Sequence, residues 1–136
     1  MTKARKIVGH MLANDAFSRW LGIELKEIKP GYCELSMMVR DEMTNGFKIA
    51  HGGIAYSLAD SALAFASNAH GRMAYSIHTE IEHLEKILVG ETIVAIAEEI
   101  SLKNKIGIYS VKILQQSSLK AMFKGMVYLT EKTWDI

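Results

Sequence analysis

Residues 53–70 place the strongest constraint on how this chain can fold. The segment reads GIAYSLADSALAFASNAH; it is rich in alanine, lacks proline and has no glycine after its first residue, which predicts one long helix. Nearly all of its positions are apolar, and a helix that is apolar on most sides has to be buried by other elements. The rest of the chain must therefore supply a surface that covers this helix.

The segments around the central helix predict one further helix and a set of strands. Apolar residues recur at helical spacing over residues 3–21, before a turn at KPGY. Alternating patterns predict strands at 32–40, 76–82, 92–101, 106–116 and 119–130, with hairpin connections at 103–105 and 116–118. Strands joined by short turns pair antiparallel. The chain is therefore expected to form a single α+β domain over residues 1–136, with five strands curled around the long helix.

Composition excludes several classes of function. The 136 residues carry a net charge of +1 with both signs scattered, so no strong field would attract nucleic acid or a membrane surface. No window is apolar for long enough to span a bilayer, and the basic start of the chain does not have the pattern of a signal peptide. The one cysteine, Cys33, cannot form an intrachain disulfide. These features predict a cytoplasmic protein that binds neither nucleic acid nor a membrane.

A carboxylate in the middle of the apolar helix requires an explanation. Asp60 lies about two turns inside, so it cannot cap the helix, and it shares a narrow polar stripe with Ser57, Ser61 and Asn68. A bare carboxylate in low dielectric costs several kcal/mol or becomes protonated. Asp60 therefore needs water, a partner or a cleft; it is either a hydrogen-bonded structural residue or part of a site.

The start of the same helix favours a site. His51, Gly52 and Gly53 precede it, and unpaired backbone N–H groups at a helix N-terminus favour negative charge. Glycines there let a substrate approach the backbone, which suits the binding of an oxyanion. Asp60 lies seven residues beyond Gly53, roughly 10 Å along the helix axis, too far to serve the same carbonyl group. Two copies of the helix, packed antiparallel across a twofold axis, would bring them together in a site shared between subunits.

The stretch NGFKIAHGGIAYSLADSALAFASN, residues 45–68, resembles the signature of the hotdog-fold acyl-CoA thioesterases, specifically the phenylacetate-degradation thioesterase subfamily. The likeness continues through MLANDAFSRWLGIELKEIKPGYCEL before it and VGETIVAIAEEISLKNKIGIYSVKIL after it. The resemblance implies a hotdog fold, in which a five-stranded antiparallel sheet wraps around one long helix. It also implies a homodimer and often a homotetramer.

The resemblance implies a role for each of five residues. Asp60 corresponds to the catalytic carboxylate, as nucleophile or as general base on water, and Gly53 to the residue whose amide polarises the thioester carbonyl. Asn45 corresponds to a loop side chain that reaches the reacting centre. His51 corresponds to the loop histidine, and Ser76 to a hydroxyl that helps to position water. The implied substrate is an acyl- or aryl-CoA, hydrolysed to free acid and CoA.

No metal or cofactor is expected in this reaction. A thiolate is a good leaving group, so a carboxylate and an oxyanion hole can suffice. His78 and His83 fall on opposite faces of a predicted strand and do not form a metal site with the glutamates between them. One departure from the family pattern concerns the substrate: residues 83–86 read HLEK where members commonly carry FLRP.

Other functions stay open on the sequence alone. A hotdog protein could bind acyl-CoA without turning it over, as a sensor or scavenger, although the set Asn45, Gly53 and Asp60 argues against it. A hotdog enoyl-CoA hydratase uses a closely spaced Asp and His, and no histidine follows Asp60 until His70. A purely structural role fits the residue pattern least well.

Overall fold

The computed structural model describes residues 1–136 and contains three α-helices and six strands. The helices are α1 (Lys3–Ala13), α2 (Ala16–Leu21) and α3 (Gly52–Asn68). The strands are β1 (Glu24–Lys29), β2 (Tyr32–Met38), β3 (Arg72–His83), β4 (Thr92–Lys103), β5 (Ile106–Gln115) and β6 (Ser118–Thr133). A short 3-10 turn, Asp41–Met43, lies in the loop between β2 and α3.

The strands form one antiparallel sheet in the order β1-β2-β4-β5-β6-β3. The β4-β5 and β5-β6 connections are tight hairpins whose turns contain Asn104 and Gln116, both with positive φ. Helix α3 packs against β2, β4, β5 and β6, so the sheet wraps around the long helix as predicted.

The expected number of five strands was wrong, because residues 24–29 form a sixth. β1 is an edge strand that pairs with β2, with a bulge between Leu25 and Glu27. Within β1 only Ile28 is buried. The bulge leaves the two core-facing residues, Leu25 and Ile28, three positions apart, so the strand lacks the strict apolar alternation that identifies a strand in sequence.

The helix expected over residues 3–21 is divided in two. Asn14 ends α1, and the Asp15 side chain caps α2 by accepting a hydrogen bond from the Ser18 amide at 2.9 Å. Asparagine and aspartate favour helix ends because their side chains compete with the backbone for hydrogen bonds. The resulting bend lays both short helices against α3.

Helix α3 is held by close packing on its sheet side. Leu58 and Phe65 are fully buried, and burying such a side chain stabilises the fold by about 1.5–3 kcal/mol. Leu63 lies directly over Gly125 of β6, where a Cβ would come within 2.5 Å of a Leu63 methyl carbon. The absence of a side chain at Gly125 therefore lets the helix approach the sheet.

Strand β3 leaves one edge of the sheet unpaired. It bonds to β6 on one side only. Tyr75 and Ile77 on this strand are 59% and 51% exposed. An exposed edge of this length, with apolar side chains, is a template for pairing with another strand. None of the helices is long and apolar enough to cross a membrane.

Candidate active site

The N-terminus of α3 forms one half of the candidate site. His51 is the N-cap residue; its Nδ1 accepts a hydrogen bond from the Gly53 amide at 3.0 Å, and its own amide donates to the Met43 carbonyl. Because Nδ1 is the acceptor, the neutral imidazole carries its proton on Nε2. The Gly52 amide makes no hydrogen bond within the chain. The turn therefore has one backbone N–H group that is free to donate, that of Gly52. The N–H group of Gly53 already donates to the His51 ring.

Asn45 lies close to this turn, in the loop before α3. Its side-chain oxygen accepts a hydrogen bond from the Phe47 amide at 2.9 Å, which leaves its Nδ2 group free to donate. Asn45 and His51 line a cavity of about 310 Å³. Residues 83–87 line the same cavity, so the segment that departs from the family pattern lies beside Asn45.

Asp60 forms the other half, on the exposed side of α3. It is half-buried, and its carboxylate makes no hydrogen bond or ion pair within the chain. Burial raises the pKa of the Asp60 carboxyl above the ordinary value of 3.8, and the charge of Asp15 raises it further. Ser76 on β3 lines the same cavity, of about 300 Å³, and its hydroxyl is also without a partner in the chain. Asp60 and Ser76 are thus neighbours with uncommitted polar groups.

The two halves do not meet within one chain. Gly53 borders a separate recess that contains Phe17, Trp20 and Ser57, and this recess does not include Asp60. Seven residues of helix separate Gly53 from Asp60, or roughly 10 Å. The five predicted residues therefore lie in three cavities: Asn45 lines one and Gly53 a second, with His51 lining both, while Asp60 and Ser76 line a third.

Sequence reasoning missed the residue that acts most directly on Asp60. The Asp15 carboxylate accepts a 2.6 Å hydrogen bond from the Ser18 hydroxyl, which lies 2.8 Å from the hydroxyl of Ser61. This series of hydrogen bonds joins the start of α2 to Ser61, the residue next to Asp60. It also brings the Asp15 carboxylate near the Asp60 carboxylate. The helix-cap pattern of Asp15 and Ser18 was visible in sequence, but its closeness to Asp60 depends on the tertiary fold.

Comparison with known proteins places the chain in a family. Residues 47–121 match the family model of the Thioesterase superfamily. The acyl-coenzyme A thioesterase PaaI of Escherichia coli is 34% identical over 116 residues, which cover 85% of this chain and 83% of that protein.

Solved structures agree with this result. The E. coli PaaI protein from the phenylacetic acid degradation operon superposes with a TM-score of 0.93 at 32% identity, covering 96% of each chain. A structure of the phenylacetic acid degradation protein PaaI from Thermus thermophilus superposes with a TM-score of 0.83 at 31% identity, covering 85% of this chain and all of that one. The chain belongs to the thioesterase superfamily, and its fold is the hotdog fold.

Proposed function

We propose that this thioesterase hydrolyses acyl-CoA or aryl-acyl-CoA to the free acid and CoA. The observation that carries the proposal is the uncommitted Asp60 carboxylate, half-buried in a largely apolar cavity. A carboxylate left without a partner in such a place is costly to the fold and is typical of a reacting group. The name and sequence of the E. coli relative support acyl-CoA as the substrate class.

The complete site is formed by two subunits. Asn45, His51 and Gly53 come from one chain, and Asp60 and Ser76 come from the other, which suits their separation within a single chain. The unpaired edge of β3 supports a homodimer, because pairing it with the same strand of a second copy would satisfy its backbone groups. Two such dimers form a homotetramer, as in the family that the sequence resembles.

Hydrolysis then needs one water molecule and no cofactor. The thioester oxygen accepts hydrogen bonds from the Asn45 Nδ2 group and from the Gly53 amide, which the His51 ring releases by turning aside. Water adds to the carbonyl carbon as the partner's Asp60 takes its proton, and Ser76 holds that water. The tetrahedral intermediate collapses, the C–S bond breaks, and the CoA thiolate takes the proton from Asp60.

An alternative first step gives the same products. The Asp60 carboxylate attacks the carbonyl carbon itself and expels the thiolate, leaving an acyl-aspartyl anhydride that water hydrolyses. Both routes require Asp60 to be ionised and both consume one water, so the residue assignments hold for either. A reducing, cytoplasmic location is compatible with the one cysteine of the chain, Cys33, which is a free and buried thiol.

One observation favours a second function, the binding of acyl-CoA without turnover. The Gly53 amide already donates to His51, so the oxyanion donor is occupied in this structure. The discriminating experiment measures release of free thiol from a panel of short, medium and aromatic acyl-CoA thioesters. We expect hydrolysis of at least one class well above the rate without protein. Tight binding with no release of thiol across the panel would support the binding function instead.

The pH dependence tests the assignment of Asp60. Because the ionised form is required, kcat/KM should fall on the acidic side as Asp60 becomes protonated, above the pH expected for an ordinary aspartate. Besides burial, the charge of Asp15, the N-cap residue of α2, raises this pKa, and Tyr75 of β3 is the other titratable side chain on the cavity. Asp15→Asn should move the acidic limb to lower pH, while Asn still caps α2. Asp41→Asn, on the exposed turn before α3, is the matched control and should leave the limb in place.

The test is the pH dependence of kcat/KM, measured between about pH 4 and 8 on both variants. An acidic limb that does not move in Asp15→Asn, or that moves to higher pH, would contradict the coupling of Asp15 to the titrating group.

A further inference from the structure

The cavity beside Asp60 extends along α3 toward the C-terminal end of that helix. One wall is the helix itself, from Asp60 through Ala64 to Asn68, residues that recur at one side of the helix. The opposite wall is the first part of β3, which includes Met73. Its far end is formed by Trp134, which follows β6. The cavity is thus a channel with the carboxylate at one end and an indole ring at the other.

The end wall is fixed in place. The Trp134 indole nitrogen donates to the Asn68 side-chain oxygen at 2.9 Å, and the Trp134 amide donates to the Gly71 carbonyl at 2.9 Å. The His10 ring of α1 contacts the indole edge-on, with ring centroids 5.9 Å apart, and the next residue, Met11, lines the cavity beside it. A ring held from three sides cannot readily move away from a ligand.

The polar groups at this end are already satisfied. The Asn68 side-chain nitrogen donates to the carbonyls of Ala64 and Ala74, and its oxygen accepts from the Ala74 amide as well as from Trp134. Both donors and both acceptor positions of this amide are therefore occupied. The Ser67 hydroxyl donates to the Leu63 and Ala64 carbonyls and is buried. The polar groups of Asn68, Ser67 and Trp134 are therefore not available to a polar substituent.

The length of the channel limits the number of carbons in the acyl group that it can hold. Eight residues separate Asp60 from Asn68, about 12 Å along the helix. A thioester carbon lies about 3 Å from the reacting carboxylate, and an extended chain advances about 1.2 Å per bond, judged from backbone dimensions. About eight carbons then fill the channel. Its volume of about 300 Å³ is roughly twice that of a cavity that holds benzene, so one aromatic ring on a short linker also fits.

We propose that this channel binds the acyl group and that Trp134 sets its maximum length. The preferred substrates carry an acyl group of up to about eight carbons, or a single aromatic ring, with no polar group at the far end. The inference rests on the proposed function, because it assumes that the thioester carbon lies at Asp60. It adds to that function a length limit and a residue that imposes it.

Two variants change the channel in opposite directions. Trp134→Ala removes the end wall and should shift the preferred chain length upward, raising kcat/KM for a twelve-carbon acyl-CoA by about 10-fold or more relative to a six-carbon one. Ala64→Leu keeps a good helix former and fills the middle of the channel, so it should shift the preference toward four carbons. Thr133→Ala, at an exposed position next to Trp134, is the control for loosening the C-terminal segment and should keep the wild-type profile.

The experiment measures kcat/KM for saturated acyl-CoAs of four to fourteen carbons with wild type and the three variants. Wild type should decline by about 10-fold or more between eight and twelve carbons. It should also hydrolyse phenylacetyl-CoA roughly 10- to 100-fold better than its 4-hydroxy analogue, because Asn68, Ser67 and Trp134 have no free polar group to receive the hydroxyl. Affinities for the same series, measured by calorimetry on Asp60→Asn to prevent turnover, give the length profile independently of catalysis.

The outcomes separate the two proposals. In one outcome, wild type releases no thiol from any substrate while affinity still falls beyond a certain chain length, and Trp134→Ala or Ala64→Leu shifts that length. This result would reject the proposed function and retain the channel. Hydrolysis with no decline to fourteen carbons, or with parallel profiles in wild type and both channel variants, would reject the channel. If Trp134→Ala does not fold, the Ala64→Leu profile decides alone, and an unchanged preference would overturn the inference.

Discussion

Replacing Asp60 with asparagine is expected to reduce kcat by about 10²–10⁴-fold, the contribution typical of a positioned general base. Asparagine keeps the shape of the side chain but can neither accept the proton of the attacking water nor form an acyl intermediate. KM should change little, because the proposed acyl channel is intact. The measurement is steady-state thiol release from the best substrate, with Asp41→Asn as a control for loss of an exposed acid.

Asp60→Asn is expected to lower activity without lowering the stability of the fold. Burial raises the pKa of Asp60 in the folded state, so between pH 3.8 and that raised pKa the folded protein binds more protons than the unfolded chain. The free energy of unfolding contributed by Asp60 therefore falls as pH rises through this window, and the ionised group lowers stability at neutral pH. Asp60→Asn should thus have a Tm at pH 7 equal to or above that of wild type, with the difference shrinking toward pH 4.

These two results together distinguish a catalytic from a structural aspartate. Near wild-type turnover in Asp60→Asn would refute the assigned role. A loss of activity accompanied by a large fall in Tm at pH 7 would show that the carboxylate supports the fold, and the activity loss would then carry no mechanistic meaning.

The long helix could be predicted from sequence because local and tertiary preferences agree there. Residues 53–70 were predicted to be helical and α3 spans Gly52–Asn68, since its alanine-rich, apolar positions suit both a helix and a buried site. Strand β1 could not be predicted, because its bulge leaves the core-facing Leu25 and Ile28 three positions apart and breaks the alternation. The break after α1 depends on Asp15, a residue that is also acceptable inside a predicted helix.

The position of the candidate site was predictable from the sequence only in part. Asp60 stood out because a carboxylate in an apolar run conflicts with its surroundings, and the glycine pair because it begins a helix. Trp134 follows Asn68 by 66 positions, and only the fold shows that it closes the channel that begins at Asp60. The hydrogen bond from Gly53 to His51 likewise depends on the local backbone path rather than on residue type.

The proposed sharing of the site between two subunits leads to the second large effect, recovery of activity from two inactive variants. Asn45→Ser removes the Nδ2 donor and keeps a short side chain that can still accept from the Phe47 amide, so the loop should be retained. Asp60→Asn removes the carboxylate from the other half of the site. In a mixed dimer one site then carries both changes and the other carries neither. Random pairing makes about half of the dimers mixed, so about a quarter of all sites should be intact.

Activity of these mixed dimers is the most direct measurement of the shared site. The two variants are co-expressed with different affinity tags, mixed dimers are isolated through both tags in turn, and thiol release is compared with that of wild type and of each parent. The isolated mixed dimers should have about half of wild-type activity, and the unfractionated mixture about a quarter, while each parent stays near background. If each site were instead built within one chain, every site in the mixed dimer would keep one change. Verified mixed dimers with no more activity than the parents would contradict the account.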